Sequence, residues 1–400
     1  MNLRNLNLKY ALANIGYMLL VSGSLGFAYN YLSQSGFDDG TIGTVMSLVS
    51  LFGVFMGPAA ADLVDRSEKL TQKMFITASM IVCGVFALIL LFVPEGSFLI
   101  IPIIIISFMC STVGMPLLNG MAFIYEKSGG VINYGLCRGL GSAAYAVGSN
   151  VVGRLWALVG RNTLPIWVAI MAVFTIVVIQ FMPNAPKQDA TSGKPAEKSI
   201  SMMQFFGKYK KMTVVACSLV LMYFCHFLIQ NYMAKIIGTF ATSGIEEIQG
   251  NALFIQAMVE LPTMFGFSFL MKKFGIHKIL IVATIFYSIK HVLVLFCGSV
   301  PMFYGTMVLQ MLSYAAIIPA TVYLANEMVN EADLNKGQAV LATASTVGGL
   351  VASFIGGWMF QFLDVKLVIT VGVISSIAGT ILMIMSLRGS GRPATARVRM

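Results

Sequence analysis

Residues 183–211 read PNAPKQDATSGKPAEKSISMMQFFGKYKK, the largest polar insertion in a chain of 400 residues. Three prolines (Pro183, Pro186, Pro195), Gly193 and six lysines mark it as a flexible linker. On either side lie apolar stretches of about 20 residues, the length a helix needs to cross the hydrocarbon of a bilayer. Twelve can be drawn, at approximately 10–32, 41–61, 74–94, 98–122, 135–158, 163–182, 212–235, 247–270, 278–298, 301–326, 337–360 and 365–387. The insertion divides them six and six. The expected organisation is a first bundle over 1–182, a linker over 183–211, a second bundle over 212–387 and a basic tail over 388–400. Several segments carry Gly or Pro, which membrane helices tolerate. Ten-residue segments of alternating polarity, the mark of a membrane barrel, are missing. The predicted fold is an all-α membrane protein of twelve transmembrane helices in two pseudo-symmetric bundles.

Composition agrees with a bilayer as solvent. The chain is 58% apolar and only 10% charged, against about 25% charged in an ordinary soluble domain. Each charge placed in hydrocarbon costs about 2.5–3.5 kcal/mol on insertion scales, which explains the deficit. The net charge of +10 sits in short clusters between apolar stretches, so it reads as membrane topology and not as a nucleic-acid surface. With both termini in the cytoplasm, twenty of the 26 basic residues fall on the cytoplasmic side. Arg154, Arg161, Lys235 and Lys366 fall outside, and Arg138 and Lys290 fall within segments. The first apolar stretch, from Tyr10 to about Tyr31, lacks the cleavage pattern of a signal peptide. The expected location is a bacterial inner membrane. Six cysteines (Cys83, Cys110, Cys137, Cys217, Cys225, Cys297) lie in or beside apolar stretches without metal-ligand spacing and read as packing residues.

The halves echo each other. Asn133-Tyr-Gly135 opens the fifth segment and Asn335-Lys-Gly337 opens the eleventh. Both segments are then rich in small residues, among them Gly139, Gly141, Gly148 and Gly153 in one and Gly348, Gly349, Gly356 and Gly357 in the other. Internal similarity between six-helix halves points to two bundles around a central solute site. Small residues at spacings of four, such as Ala144/Gly148 and Ser149/Gly153, allow close helix contact.

Intramembrane charge is expensive and calls for a partner or a water-filled cavity. Arg138, Glu260 and Lys290 qualify. Counted from the cytoplasmic ends, Glu260 and Lys290 lie roughly 15–20 Å deep, so a salt bridge between neighbouring helices is expected. Such a pair either fixes helix packing alone or lines a transport cavity, with Glu260 exchanging a proton. Arg138 offers five donors in a planar fork, and Tyr145 follows two turns later on the same stripe. The pair suits a sugar; the alternative is that Arg138 snorkels to headgroups. His226 and His291 can shuttle protons or serve as neutral hydrogen-bonded residues. Asn119, Gln230, Asn231, Gln256 and Tyr314 offer hydrogen bonds either to a solute or between helices.

Other classes lack their signatures. No nucleophile–base pair or metal cluster is found, so an enzyme is not expected, nor is any cofactor or metal. No G-x-x-x-x-G-K-[ST] run appears, which argues against a nucleotide-driven pump. A channel would more usually need oligomeric pore loops.

The chain resembles the major facilitator superfamily throughout its length, and within it the oligosaccharide:proton symporter family typified by lactose permease. The superfamily loop motif Gly-x-x-x-Asp-Arg/Lys-x-Gly-x-Arg/Lys is represented by Asp65-Arg66, with Ala61 and Glu68 in place of its glycines. The second-half loop keeps Lys273-Phe-Gly275-x-x-Lys278. The resemblance implies a conformational gating role for Asp65, Arg66, Lys273 and Gly275. Tyr134-Gly135, Arg138 and Tyr145 look like the family's sugar-binding positions on helix five. Glu260 looks like its sugar- and proton-linked glutamate, and Lys290 stands where the family has an arginine. Departures are plain: Asn119 or Met121 replaces the sugar-binding acid, Tyr314 replaces the helix-ten histidine, and Ile317 replaces the proton-carrying glutamate.

The resulting expectation is a proton-coupled symporter of a sugar or similar small polar solute, working by alternating access as a monomer. Arg138, Tyr145, Asn119, Glu260, Lys290 and Tyr314 are expected to bind solute. Glu260, Lys290, His226 and His291 are expected to couple it to protons. The runner-up is a facilitator or exporter of another metabolite, such as a nucleoside, aromatic acid or drug, followed by a non-transporting sensor.

Overall fold

Several helices begin where the sequence supplies a side-chain cap. Asp38 accepts from the Thr41 amide at 2.9 Å, and that backbone donor holds its carboxyl below the usual carboxylate range. Thr71, Asn133 and Ser201 cap three further helices through the amides of Met74, Leu136 and Gln204. Ser201 and Gln204 form a reciprocal capping box. A computed structural model describes residues 5–67, 69–183, 201–330 and 333–388. Among these, all regular structure is helical.

In chain order the helices are α1 (Leu6–Ser24), α2 (Ala28–Gln34), α3 (Asp39–Arg66), α4 (Gln72–Ile89), α5 (Ile100–Lys127), α6 (Tyr134–Val159) and α7 (Thr163–Gln180). They continue with α8 (Met202–Lys208), α9 (Lys210–Asn231), α10 (Met233–Ile237), α11 (Ile245–Phe274) and α12 (Ile276–Leu295). The last four are α13 (Val300–Val308), α14 (Tyr314–Met328), α15 (Leu334–Phe362) and α16 (Val365–Leu387). Eleven helical runs among the described residues are long and apolar enough to cross a bilayer. One of them, Tyr134–Gln180, spans 47 residues and takes in both α6 and α7.

At least three expected segments are interrupted, among them the seventh, at Tyr232 between α9 and α10. The first segment, 10–32, is broken between α1 and α2, where Gly26 stands at a point at which a Cβ would run into the Ser22 carbonyl oxygen. The tenth is broken between α13 and α14 by the 3-10 turn Leu309–Leu312.

The chain forms two compact units. The first comprises Met1–Ser192, Asn231–Met258 and Ser353–Phe362. In it α1 packs on α6 and α7, α4 on α5 and α7, and α3 on α5. A Cβ on Gly148 of α6 would meet Ser22 and Leu19 of α1, so the missing side chain is what lets the two backbones approach. The second unit comprises Gly193–Gln230, Val259–Ala352 and Leu363–Met400. Here α12 packs on α16 and α14, and Ser218 of α9 donates to the Gly379 carbonyl of α16 at 2.6 Å. Its core gathers Met212, Val215, Leu219, Met222, Leu280, Tyr287, Ile317 and Leu324. Large apolar side chains such as Phe265, Phe269, Ile374 and Met385 remain exposed, as expected of faces whose solvent is lipid.

Candidate functional site

The second unit holds a polar core. Lys290 on α12 is 2% exposed, and Gln310, on the 3-10 turn after α13, is fully buried. Lys290 Nζ donates to Gln310 Oε1, and Gln310 Nε2 donates to Glu260 Oε1 on α11 at 2.9 Å. The amide has one acceptor and one donor end, so it can face an ammonium on one side and a carboxylate on the other. The expected direct Glu260–Lys290 salt bridge is therefore replaced by a bridged one. Lys290 is buried and Glu260 partly so, and both are tolerable in that setting because each keeps a hydrogen-bond partner.

Beside this network lies a cluster of rings. His226 of α9 stacks on Tyr314 of α14 with centroids 4.8 Å apart and an interplanar angle of 18°. Tyr287 of α12 lies 5.5 Å from His226 and 4.5 Å from His291. Tyr223 completes the group, 6.5 Å from Tyr287 and 6.1 Å from Tyr314. The Tyr287 hydroxyl and His291 Nε2 are buried without a hydrogen-bond partner. His291 Nδ1 bonds Ser376 of α16 at 2.8 Å. The structure thus brings together five of the residues singled out from sequence: Glu260 and Lys290 through Gln310, and His226, His291 and Tyr314 within one cluster of rings.

In the first unit Arg138 and Tyr145 share α6, and Asn119 follows Pro116 on α5. Arg138 Nη1 and Asn119 Oδ1 are buried and lack a protein partner. Arg138 as a whole is half-buried, so its remaining guanidinium donors keep an exposed side. Tyr10, whose hydroxyl is also unpartnered, packs against Tyr134 at 6.5 Å near the start of α6.

The loop residues sit apart from these groups. Arg66, at the end of α3, pairs with Asp62 one turn earlier at 2.8 Å and is exposed. The Asp65 side chain lies outside the described residues. Lys273 lies over Phe269 and Phe274 of its own helix, and Gly275 turns the chain into α12 with φ +76°.

Sequence reasoning passed over two groups. Gln310 is one neutral amide among many, and nothing local sets it apart. The second group lies in the first unit, where Lys235 of α10 pairs with Asp39 at the start of α3. Tyr29 donates to Asp39 at 2.8 Å, and Tyr232 packs between Tyr29 and Phe360. Nearby, Gln34 donates to Glu246 at 2.7 Å and accepts from Trp156 at 3.0 Å. In the sequence Lys235 stands out only as one of four basic residues on the outer side. No cluster able to hold a metal ion is found among the described residues.

Residues 15–371 match the MFS_1 like family. No curated protein sequence matches the chain. Among solved structures, a mutant of the nucleoside transporter NupG is similar with a TM-score of 0.79 at 16% identity, covering 96% of this chain and 100% of that one. A bacterial homologue of the iron transporter ferroportin in its inward-facing state gives a TM-score of 0.71 at 12% identity, covering 97% and 100%. A mutant of the peptide transporter POT, in complex with alafosfalin, gives 0.71 at 11% identity, covering 96% and 93%. At such identities the likeness is one of fold, and the fold is that of membrane transporters.

Proposed function

The chain belongs to the MFS_1 like family, and from that membership we propose that it is a proton-coupled secondary transporter of a small polar solute in a bacterial inner membrane. The observation that carries this reading is the Glu260–Gln310–Lys290 network within apolar helices, with Gln310 and Lys290 buried and Glu260 partly so. Charges kept at such cost in a membrane-spanning bundle mark solute or proton pathways. In this proposal Glu260 takes up and releases the proton, Lys290 balances its charge, and Gln310 couples the two. Arg138, Asn119 and Tyr145 bind solute from the first half, and Tyr314 from the second. The gating loops are those at Asp65-Arg66 and Lys273–Gly275.

The proposal takes the membrane topology as twelve spans. A single helix of 47 residues would be about 70 Å long, more than twice the roughly 30 Å of hydrocarbon, and Gly160–Asn162 interrupts it with a 3-10 turn. Counting α6 and α7 separately gives twelve spans with both termini on the basic, cytoplasmic side.

A sugar is the first reading of the solute, because Arg138 and Asn119 present unmet polar atoms suited to hydroxyls. A nucleoside is the second. The His226–Tyr314 stack and its neighbouring tyrosines offer ring faces for a base, and a nucleoside transporter shares the fold.

Uptake by proteoliposomes of labelled sugars, nucleosides and aromatic acids, with and without an imposed proton gradient, tests the reading. A 100 mV potential supplies about 2.3 kcal/mol per proton, enough for roughly fiftyfold accumulation. Glu260→Gln is expected to abolish accumulation while leaving solute counterflow within about threefold of wild type. Uphill uptake by that variant would remove Glu260 from the coupling mechanism.

A further inference from the structure

His291 sits at the head of a run of hydroxyls that the transport mechanism above does not use. Its Nδ1 lies 2.8 Å from Ser376 Oγ. Ser376 Oγ lies 3.1 Å from Ser288 Oγ, and Ser288 Oγ lies 2.7 Å from Thr380 Oγ1. Thr380 Oγ1 ends the run by donating to the Thr284 carbonyl oxygen at 3.0 Å. Ser288, Ser376 and Thr380 are all buried, and His291 is fully so.

A hydroxyl has one hydrogen to give, and a carbonyl has none. These two facts set the direction of every link. Thr380 spends its hydrogen on Thr284, so the Ser288–Thr380 link takes its hydrogen from Ser288. The Ser376–Ser288 link then takes its hydrogen from Ser376. Nothing remains for Ser376 to give His291, so Nδ1 of His291 supplies the hydrogen of the last link.

We infer that this hydroxyl ladder fixes His291 in the Nδ1–H form and turns its buried, unpartnered Nε2 into an acceptor for an N–H or O–H donor. The inference rests on the transporter reading only for what that donor is. A buried polar nitrogen with no protein partner costs stability unless something meets it. The donor comes from an ordered water or from the transported solute, and both present the same chemistry to Nε2. Ser376, Ser288 and Thr380 act as positioning residues, since they set the face His291 shows without touching the donor themselves. The same ladder ties α12 to α16, so the ring cannot turn over without breaking it.

The test is nitrogen NMR of the full-length protein in lipid bilayers, with isotope-labelled histidine and the His291 signals assigned by their loss in His291→Gln. The expected wild-type spectrum shows a hydrogen on Nδ1 and none on Nε2. Ser288→Ala does not touch His291, yet it frees the Ser376 hydrogen to turn towards Nδ1. A substantial fraction of His291 is therefore expected to move to the Nε2–H form, while Thr380→Ser keeps every rung and the wild-type spectrum. A wild-type ring carrying hydrogen on Nε2, or an unchanged ring in a folded Ser288→Ala variant, overturns the inference.

The source of the donor is read from the same signal. A cross-peak from Nε2 to water identifies water, and a shift on adding uridine or lactose identifies solute. A bare Nε2 that responds to neither overturns the acceptor assignment. If solute is the donor, Ser288→Ala is expected to raise KM for uptake roughly two- to tenfold with kcat little changed, the worth of one neutral hydrogen bond. The tautomer is readable in protein that transports nothing, so failure of the transporter reading would be seen separately.

Discussion

Lys290 is nearly as inaccessible as the leucines around it, and its nearest acceptor is an amide oxygen and not a carboxylate. That arrangement makes Gln310 the residue on which the polar core depends. Leucine at 310 would fill similar space while leaving the lysine without an acceptor and Glu260 without a donor. Removing one partner from a buried charged group generally costs about 3–5 kcal/mol, so Gln310→Leu is expected to lower the unfolding midpoint in detergent markedly. Lys290→Met combined with Gln310→Leu should recover at least half of the loss, because no buried ammonium then remains. An unchanged midpoint in the single variant would mean that water replaces the amide. The intramembrane charges themselves were legible in the sequence, since a lone Glu or Lys inside an apolar run is conspicuous. The bridge between them was not, because Gln310 and Gln256 look alike until burial and neighbours are known.

The elements show why those neighbours meet. The 3-10 turn Leu309–Leu312 interrupts what the sequence presents as one span and places Gln310 between α11 and α12. A comparable local device lies outside the spans, where α8 is tied down. Lys208 and Tyr209 donate to the buried Asp333 carboxylate at 2.8 Å and 2.9 Å. The Lys208 hydrogen bond holds the Asp333 carboxyl below the usual carboxylate range, and the same bond raises the lysine. A lowered carboxyl contributes stability above its unfolded pKa and loses it as pH falls through the lowered folded value. A raised lysine contributes below its unfolded pKa and loses it as pH climbs through the raised one. The tie is therefore intact across neutral pH and released by strong acid. Asp333→Asn is expected to speed cleavage after Lys208 and Lys210 by a lysine-specific protease roughly two- to fivefold at neutral pH. An unchanged cleavage rate would show that apolar packing of Phe205, not the ion pair, holds α8.

At the scale of the whole molecule, alternating access requires that closed contacts release in each cycle. For the transport cycle proposed above, we propose the Asp39–Lys235 pair, with Tyr29, Tyr232 and Phe360 around it, as such a contact. Asp39→Asn and Lys235→Gln are each expected to lower the uptake rate roughly two- to tenfold, as loss of a partly buried pair would. The exchange Asp39→Lys with Lys235→Asp should restore most of it, since the pair survives with its sign reversed. An exchanged variant no better than either single one would assign these residues to local packing.

The sequence by itself determined the class of the molecule: apolar runs of spanning length, sparse charge and a Pro- and Lys-rich break after residue 182 together specify a helical membrane protein. Each of these follows from the cost of putting one residue into hydrocarbon, which depends on that residue and its immediate run alone. Sequence also marked Arg138, Glu260 and Lys290, for the same local reason. Only the tertiary structure decided that Gln310 stands between Glu260 and Lys290, that Ser376 bonds His291, and that Asp39 meets Lys235 from 196 residues away. Those pairings are choices among many polar residues of equal local standing, and it is the packing of distant helices that selects between them.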